Sequence, residues 1–88
     1  MRFAKVDLNQ TEIVDALRKV GVSVQSLASI GRGCPDLVVA KGQQCWLIEV
    51  KGAKGKLTDD QVKWIGAWAG DVHIIRTVDD ALQLVGVL

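Results

Sequence analysis

The sequence contains few of the residues from which most zinc and thiol sites are built. Its 88 residues include two cysteines, one histidine, one proline and no tyrosine. Cys34 and Cys45 form no C-x-x-C pair, and His73 is the single imidazole that could join them. This composition argues against a zinc site and against Cys–His catalysis. We therefore expect both cysteines to be small core thiols and His73 to be a structural residue of a strand.

Long apolar runs and an excess of charge of one sign are also missing. Eleven Lys and Arg side chains balance ten Asp and Glu, so the net charge is +1. This balance is typical of a globular domain and excludes a disordered tail or a strongly basic chromatin-type binder. No apolar run approaches the roughly 20 residues of a membrane span, and no signal-peptide pattern is visible. We expect one domain over residues 1–88, working in the cytoplasm, and a chain this short would gain from burial by self-association.

Turn and capping residues divide the chain into seven short elements. Asn9 and Glu12 form a capping-box pattern before helically spaced apolar residues, which predicts a first helix that ends at Gly21. Thr58 and Thr77 are predicted to cap two further helices, the first of which ends at Gly70. The remaining predicted elements are strands over 22–27, 36–40, 45–51 and 72–76, an irregular turn over 30–35, and a flexible basic loop over 52–56. The order α-β-β-β-α-β-α predicts an α/β fold with a mixed sheet of about four strands flanked by helices.

The third predicted strand carries two charges on one face. Glu49 and Lys51 are two positions apart and therefore point to the same side of a strand. A hairpin between the second and third strands can bring Asp36 close to Glu49. Two carboxylates and a lysine at one end of a sheet suit Mg²⁺, which binds through oxygen ligands and substrate phosphate. The alternative is a surface ion pair, because E-x-K alone is a weak pattern.

Two further polar residues lie where apolar ones are expected. Gln61 falls inside the apolar stripe of the second helix, and Glu12 lies at the border of the stripe of the first helix. Each side chain has two possible roles, since it can cap its own helix or reach toward the carboxylates at the end of the third strand. The stripe of the second helix includes Trp64 and Trp68, which are spaced for core packing or for an oligomer contact.

Basic residues cluster in two glycine-containing loops. Lys51, Lys54 and Lys56 fall within six positions, and Arg32 lies between Gly31 and Gly33. Cations on such loops beside a metal site suit a phosphate backbone, although simple solvation of an exposed loop is the alternative. With a net charge of only +1, affinity for nucleic acid should be modest and strongly salt-dependent. The apolar C-terminal tail, 86–88, is a second candidate for an oligomer contact.

Three segments in order resemble a nuclease signature. They are Gly-Arg-Gly-Cys-Pro-Asp at 31–36, Glu-Val-Lys at 49–51 and Leu-Thr-Asp-Asp-Gln at 57–61. Together they resemble the PD-(D/E)xK nucleases and, more narrowly, the virus-type replication-repair nuclease (VRR-NUC) family. In that family a helix with a glutamate precedes a G-x-PD turn, an E-V-K strand and an L-(T/S)-x-x-Q helix start. The resemblance spans about residues 9–76.

The resemblance implies a restriction-endonuclease-like fold and metal-dependent cleavage of DNA. It implies the following roles: Asp36, Glu49 and the Val50 carbonyl as ligands of Mg²⁺ or Mn²⁺, Lys51 as the catalytic lysine, Glu12 as support for the metal or its water, and Gln61 as part of the site lining. Small stand-alone members are similar to Holliday junction resolvases, act as homodimers and often come from phages. This implies four-way DNA junctions as substrate, a second copy as partner, and the cytoplasm of a bacterium or a phage-infected host.

Two other functions stay open at this stage. One is a non-catalytic module that binds DNA junctions or docks a partner, although such a module has no need of an intact Asp/Glu/Lys set. The other is a nuclease that acts on flaps, duplex, RNA or specific duplex sequences. Because the chain carries no added DNA-recognition domain, we expect it to choose its substrate by shape, dimer geometry and backbone contacts.

Overall fold

A computed structural model of the chain describes residues 8–88 and contains the seven predicted elements in the predicted order. The elements are α1 Leu8–Lys19, β1 Ser23–Ser26, β2 Leu37–Lys41, β3 Gln44–Val50, α2 Asp59–Ala67, β4 Val72–Ile75 and α3 Val78–Leu84. The strands differ from prediction by no more than one residue at each end, and α2 ends three residues before Gly70. No helix in this part of the chain combines the length and the apolar character that a membrane crossing needs.

The strands form one mixed sheet in the order β1-β2-β3-β4. β2 is antiparallel to both β1 and β3, whereas β3 and β4 are parallel. Gly42 and Gln43 form the two-residue loop of the β2–β3 hairpin, and Gly42 takes a positive φ of 64° there. The parallel pair needs a crossover, which α2 provides. The carboxyl ends of β3 and β4 therefore lie at the same edge as the amino end of β2.

One face of the sheet packs against α1 and α3. On α1, Ile13 and Leu17 are four residues apart and fully buried, as expected for one face of a helix. They join a single core whose other members are Val22, Leu37, Val39, Ile48, Val50, Ile75, Ala81 and Val85. Ile48 and Val50 belong to this face, so Glu49 between them points to the opposite one. This confirms the α/β fold of a mixed sheet flanked by helices, as in restriction-endonuclease-like proteins.

The expectation that both cysteines are core thiols is wrong. Cys45 is exposed and Cys34 is only half-buried, because neither belongs to the core face of the sheet. No residue of α2 is buried, and Val62 and Trp68 remain 55% and 48% exposed. The reason is that the core is built from α1, α3 and the strands, with no contribution from α2. The apolar face of α2 therefore stays largely open, with the rings of Trp64 and Trp68 stacked 4.8 Å apart.

Candidate active site

The turn before β2 brings Asp36 to the end of β3. Gly31, Arg32 and Gly33 all have positive φ angles, and this tight turn leads through the buried Pro35. Backbone pairing between β2 and β3 ends at Leu37 and Ile48. Beyond that point a side chain continues the contact between the two strands, since Asp36 Oδ2 accepts the backbone N–H of Val50 at 2.8 Å. The carboxylate is thereby held between the two strands.

Gly33 fixes this turn against the start of α2. A Cβ atom at this position would lie 2.3 Å from the Asp60 carbonyl oxygen and 2.9 Å from the Gln61 nitrogen. Real Cβ atoms do not approach other atoms so closely, and the φ of 84° also disfavours any residue with a Cβ. Glycine is therefore required where the Asp36 turn meets the helix that carries Gln61.

Glu49 is the buried acid of the site. Its side chain is only 1% exposed, and it lies on the outer face of β3. Oε2 accepts a hydrogen bond from Gln61 Nε2 at 3.0 Å and lies 3.6 Å from Lys51 Nζ. Oε1 is buried and has no hydrogen-bond partner among the described residues. Because buried polar atoms are nearly always satisfied, this oxygen is suited to accept a positively charged or hydrogen-bonding ligand.

Gln61 performs both of the roles that the sequence left open. Its Oε1 accepts the Thr58 N–H at 2.9 Å, while Thr58 Oγ1 accepts the Gln61 N–H at 3.2 Å. This is a complete capping box at the start of α2, as predicted. Because its Nε2 also donates to Glu49, the same side chain ties the helix to the carboxylate. The interpretation of Glu49 and Lys51 as a surface pair is wrong, since both side chains are largely buried.

The pKa of Glu49 is raised from 4.5 to about 7, first by burial and then by the negative charge of the neighbouring Asp36, while Lys51 opposes this rise. Burial also raises the pKa of the Cys34 thiol, and the nearby Glu49 and Asp36 charges add to the effect. Cys34 therefore remains a neutral thiol, which is a poor nucleophile. A carboxylate that titrates near neutrality beside a second one is typical of a site that binds a cation.

Two residues that were not predicted to belong to the site, Asn9 and Arg76, bind the backbone around it. We call these backbone contacts the frame of the site. Asn9 was predicted to cap α1, but it lies inside the helix, and its Nδ2 donates to the carbonyls of Lys51 and Arg76, both at 3.1 Å. It thus connects α1 to the ends of both parallel strands. Arg76 Nη1 donates to the carbonyls of Gly52 and Gly55, so the loop predicted to be flexible is anchored. Neither contact leaves a local sequence signal, because the partners are far away along the chain.

Glu12 stays apart from the two carboxylates. It is exposed and forms no hydrogen bond or ion pair with any residue in the described part of the chain. Within residues 8–88, no three His, Cys, Asp or Glu side chains are grouped as they would be in a preformed metal cage. Glu12 does lie one helical turn from Asn9, whose amide contacts the Lys51 carbonyl. The structure therefore brings together Asp36, Glu49, Lys51 and Gln61, with Glu12 at the margin.

The predicted phosphate-binding cations lie on the two loops that border this group. Arg32 belongs to the turn that leads to Asp36, and Lys54 and Lys56 belong to the loop that follows Lys51. All three side chains are exposed and form no ion pair with the described residues. Their positive charge is therefore available to an anionic ligand that approaches the carboxylates.

The side chains present fit a divalent cation of the hard type. Asp36 and Glu49 offer carboxylate oxygens, one of which has no other partner, and Mg²⁺ commonly uses one or two carboxylates and completes its shell with water and phosphate. The absence of a third acid therefore does not conflict with such a site.

Comparison with known proteins agrees with this geometry. The family model of the VRR-NUC domain matches residues 3–72. No curated protein and no solved structure matches the chain. The matched range includes the Asp36 turn, the Glu49–Lys51 pair and the capped start of α2, which are the parts that the structure brings together. The chain belongs to the VRR-NUC domain family of nucleases.

Proposed function

We propose that this protein is a metal-dependent endonuclease that hydrolyses phosphodiester bonds in DNA. The observation that carries the proposal is the Glu49 carboxylate, which is buried, lies beside Asp36 and has one oxygen without a partner among the described residues. Such an arrangement is unfavourable in the absence of a cation and favourable in its presence. Membership in the VRR-NUC family supports the choice of nucleic acid as substrate.

Asp36 and Glu49 would hold the cation, with the Val50 carbonyl as a third ligand. The N–H and C=O of one strand residue point to the same side, and the Val50 N–H points to Asp36. The Val50 carbonyl therefore faces the same side as the Asp36 carboxylate. Oxygen ligands of this kind favour Mg²⁺ or Mn²⁺. When bound, such a metal polarises a phosphoryl oxygen and lowers the pKa of a coordinated water.

Lys51 is proposed as the catalytic lysine. Its side chain is largely buried, and its ammonium lies 3.6 Å from Glu49 Oε2. From there it can stabilise negative charge that develops on the phosphate or orient the attacking water. Gln61 keeps Glu49 in place through its amide. We propose that Glu12 supports this site through water, since it has no direct contact with the carboxylates.

DNA binding is proposed to rest on Arg32, Lys54 and Lys56. Their side chains are exposed on the loops on either side of the carboxylates. Lysine and arginine contacts to phosphates position a duplex without reading its sequence. This mode of binding agrees with selection of DNA by shape.

We further propose that four-way junctions are the preferred DNA and that the active form is a homodimer. The resemblance to small stand-alone VRR-NUC proteins supports the junction, and the open apolar face of α2 supports the dimer. The exposed apolar side chains concerned are Val62 on α2, Trp68 directly after this helix and Leu88 at the C-terminus. A two-fold dimer would present two equivalent sites to the symmetric arms of a junction.

The test is cleavage of a four-way junction, a flap and a matched linear duplex with Mg²⁺, with Mn²⁺ or with a chelator. We expect metal-dependent, paired nicks in the junction and loss of cleavage in Asp36→Asn. Asparagine can still accept the Val50 N–H, so the variant should fold. Asp59→Asn, which removes an exposed acid from the first turn of α2, is the control and should cleave normally.

Each other outcome assigns a different function. Cleavage of flaps or duplex as readily as junctions would support the nuclease activity but contradict the proposed preference for four-way junctions. Junction binding with no cleavage in either metal would indicate a binding module. For the dimer, sedimentation of Trp68→Ala and Leu88→Ala distinguishes the α2 face from the tail, and a monomeric wild-type protein would contradict the dimer.

A further inference from the structure

Arg76 makes the contacts that hold the loop after the proposed catalytic lysine. It directly follows β4, its side chain is half-buried, and its Nη1 donates to the carbonyls of Gly52 and Gly55, the latter at 2.9 Å. The Gly55 N–H in turn donates to the Gly52 carbonyl at 3.1 Å. Arg76 therefore clamps both ends of one tight turn from a position more than twenty residues away along the chain.

The clamped turn carries the exposed cations of this side of the site. Lys54 lies between the two carbonyls that Arg76 binds, and Lys56 comes directly after the second. A glycine-containing loop that is not anchored samples many conformations, and their loss would oppose substrate binding. Anchoring the turn before substrate arrives reduces this entropic cost.

The positive charge of Arg76 is not neutralised by its hydrogen-bond partners, because these are uncharged backbone carbonyls. The ion pair found among the described residues joins Lys51 to Glu49, and Arg76 has no carboxylate partner for its guanidinium there. Asp80 instead accepts the backbone N–H of Arg76 at 3.3 Å. The segment 52–58 contains no acidic residue. The clamped turn thus presents positive charge toward solvent with no acidic neighbour in its own sequence.

Asn9 extends this frame to a third element. Its amide binds the carbonyls of Lys51 and Arg76, the residues that begin and support the loop. The Lys51 N–H donates to the Ile75 carbonyl at 3.0 Å, which continues the β3–β4 pairing up to the lysine. The backbone of the lysine and the base of the loop are therefore held by one connected set of hydrogen bonds.

We propose that Arg76 is a positioning residue for the substrate, which orders the 52–56 turn so that Lys54 and Lys56 meet the phosphate backbone beside the carboxylates. The proposal rests on the nuclease function proposed above. Arg76 acts here through the loop and does not touch the reacting atoms.

The test compares Arg76→Ala and Arg76→Lys with a matched control, Arg18→Ala. Arg18 is also an arginine whose guanidinium donates to a backbone carbonyl, that of Val24 at 3.2 Å. It lies in the last turn of α1, whereas Asn9, which contacts Lys51, lies at the start of that helix. We expect Arg76→Ala to raise KM for DNA about fivefold to tenfold with kcat nearly unchanged, because binding of phosphates is weakened while the chemistry is intact. Arg18→Ala should keep the wild-type KM.

A double-mutant cycle separates positioning from simple loss of charge. If Arg76 orders the turn, Lys54→Ala should have much less effect in the Arg76→Ala background than in the wild type. If Arg76 acts only as a further cation, the two effects should add. Arg76→Lys keeps the charge on a flexible stem without the planar fork, so we expect a KM between those of the wild type and Arg76→Ala.

Several results would overturn the proposal. One is additive effects of the Arg76 and Lys54 substitutions, and another is a loss confined to kcat. A third combines two results: Arg76→Lys keeps the wild-type KM, and in Arg76→Ala the slope of log KM against log salt falls by no more than about one phosphate contact. Together these two results would mean that Arg76 acts only as one further cation. If Arg76→Ala does not fold, Arg76→Lys and its cycle with Lys54→Ala carry the test. Failure of the nuclease proposal is seen separately, since the wild-type protein would then cleave no DNA.

Discussion

The Gln61 side chain links the start of α2 to the Glu49 carboxylate. Its Oε1 accepts the Thr58 N–H at 2.9 Å, and its Nε2 donates to Glu49 Oε2 at 3.0 Å. An amide can do both because it carries an acceptor and a donor on one group. Glutamate also completes capping boxes, but an ionised glutamate has no proton to donate to Glu49. The position therefore needs glutamine if the cap and the carboxylate are both to be satisfied.

Gln61→Ala should lower both stability and activity, whereas Thr58→Ala should lower stability alone. Each substitution breaks the capping box, which contributes about 1 kcal/mol to the free energy of unfolding. Only Gln61→Ala also removes the hydrogen bond that orients Glu49, and loss of such a supporting contact typically reduces metal affinity or activity by about 10- to 100-fold. Urea unfolding and DNA cleavage kinetics on both variants provide the comparison.

Gln61→Glu separates the two tasks further. The glutamate can still accept the Thr58 N–H, so the helix start should be retained, but the donor to Glu49 is lost. We expect near-normal α2 capping with reduced cleavage. Equal losses of activity in Thr58→Ala and Gln61→Ala would mean that Gln61 affects the site only through the helix.

Much of the site could be predicted from the sequence because its members follow local rules. The period of a strand places Glu49 and Lys51 on one side, and the ion pair between them bears this out. A hairpin register brings Asp36 next to them, as the Asp36–Val50 hydrogen bond shows. Burial was harder to predict, since nothing in the E-x-K pattern indicates that Glu49 is almost fully enclosed.

The frame around the site could not be predicted because its contacts are distant in sequence. Asn9 binds carbonyls 42 and 67 residues away, while its local pattern with Glu12 matched a capping box. Arg76 is similar, since its partners are two glycines in a loop that looked mobile from composition. Periodicity also predicted an apolar stripe on α2 but not which surface would cover it. Trp68 is an example, since it belongs to the predicted apolar stripe and yet remains 48% exposed.

In the absence of metal, the stability of the protein should fall as the pH rises from about 4.5 to 7. Burial raises the pKa of Glu49 to about 7 in the folded protein, so the folded state binds the proton more tightly than the unfolded chain does. The contribution of the protonated carboxyl is therefore complete below pH 4.5 and is lost as the pH passes through 7. Urea unfolding in chelator at pH 5 and pH 8 measures this change.

Glu49→Gln is the control for this pH dependence. Glutamine resembles the protonated acid and does not titrate, so the variant should be more stable than the wild type by roughly 3 kcal/mol at pH 8 and by only about 1 kcal/mol at pH 5. Its cleavage activity should nevertheless be abolished. A wild-type protein whose stability rises with pH relative to Glu49→Gln would contradict the raised pKa.

Binding of Mg²⁺ or Mn²⁺ should reverse this loss of stability and release a proton from Glu49. A carboxylate must be ionised to act as a ligand, so binding should release about one proton near pH 6 and almost none at pH 8. Isothermal titration calorimetry in two buffers with different protonation enthalpies measures the number released. Glu49→Gln should show no pH-dependent release, and an equal release at both pH values in the wild type would assign the proton to another group.

Gly33→Ala should destabilise the protein far more than Gly31→Ala. Both glycines have positive φ angles, 84° and 70°, so each substitution carries backbone strain of about 1 kcal/mol. A Cβ at Gly31 meets nothing within 4 Å, whereas a Cβ at Gly33 would lie 2.3 Å from the Asp60 carbonyl oxygen. Relieving that overlap must move the Asp36 turn away from α2, so Gly33→Ala should also lower cleavage activity while Gly31→Ala should not. Urea unfolding and cleavage rates on the pair measure both effects, and equal losses of stability would show that φ strain alone, and not the close approach to α2, determines the requirement for glycine.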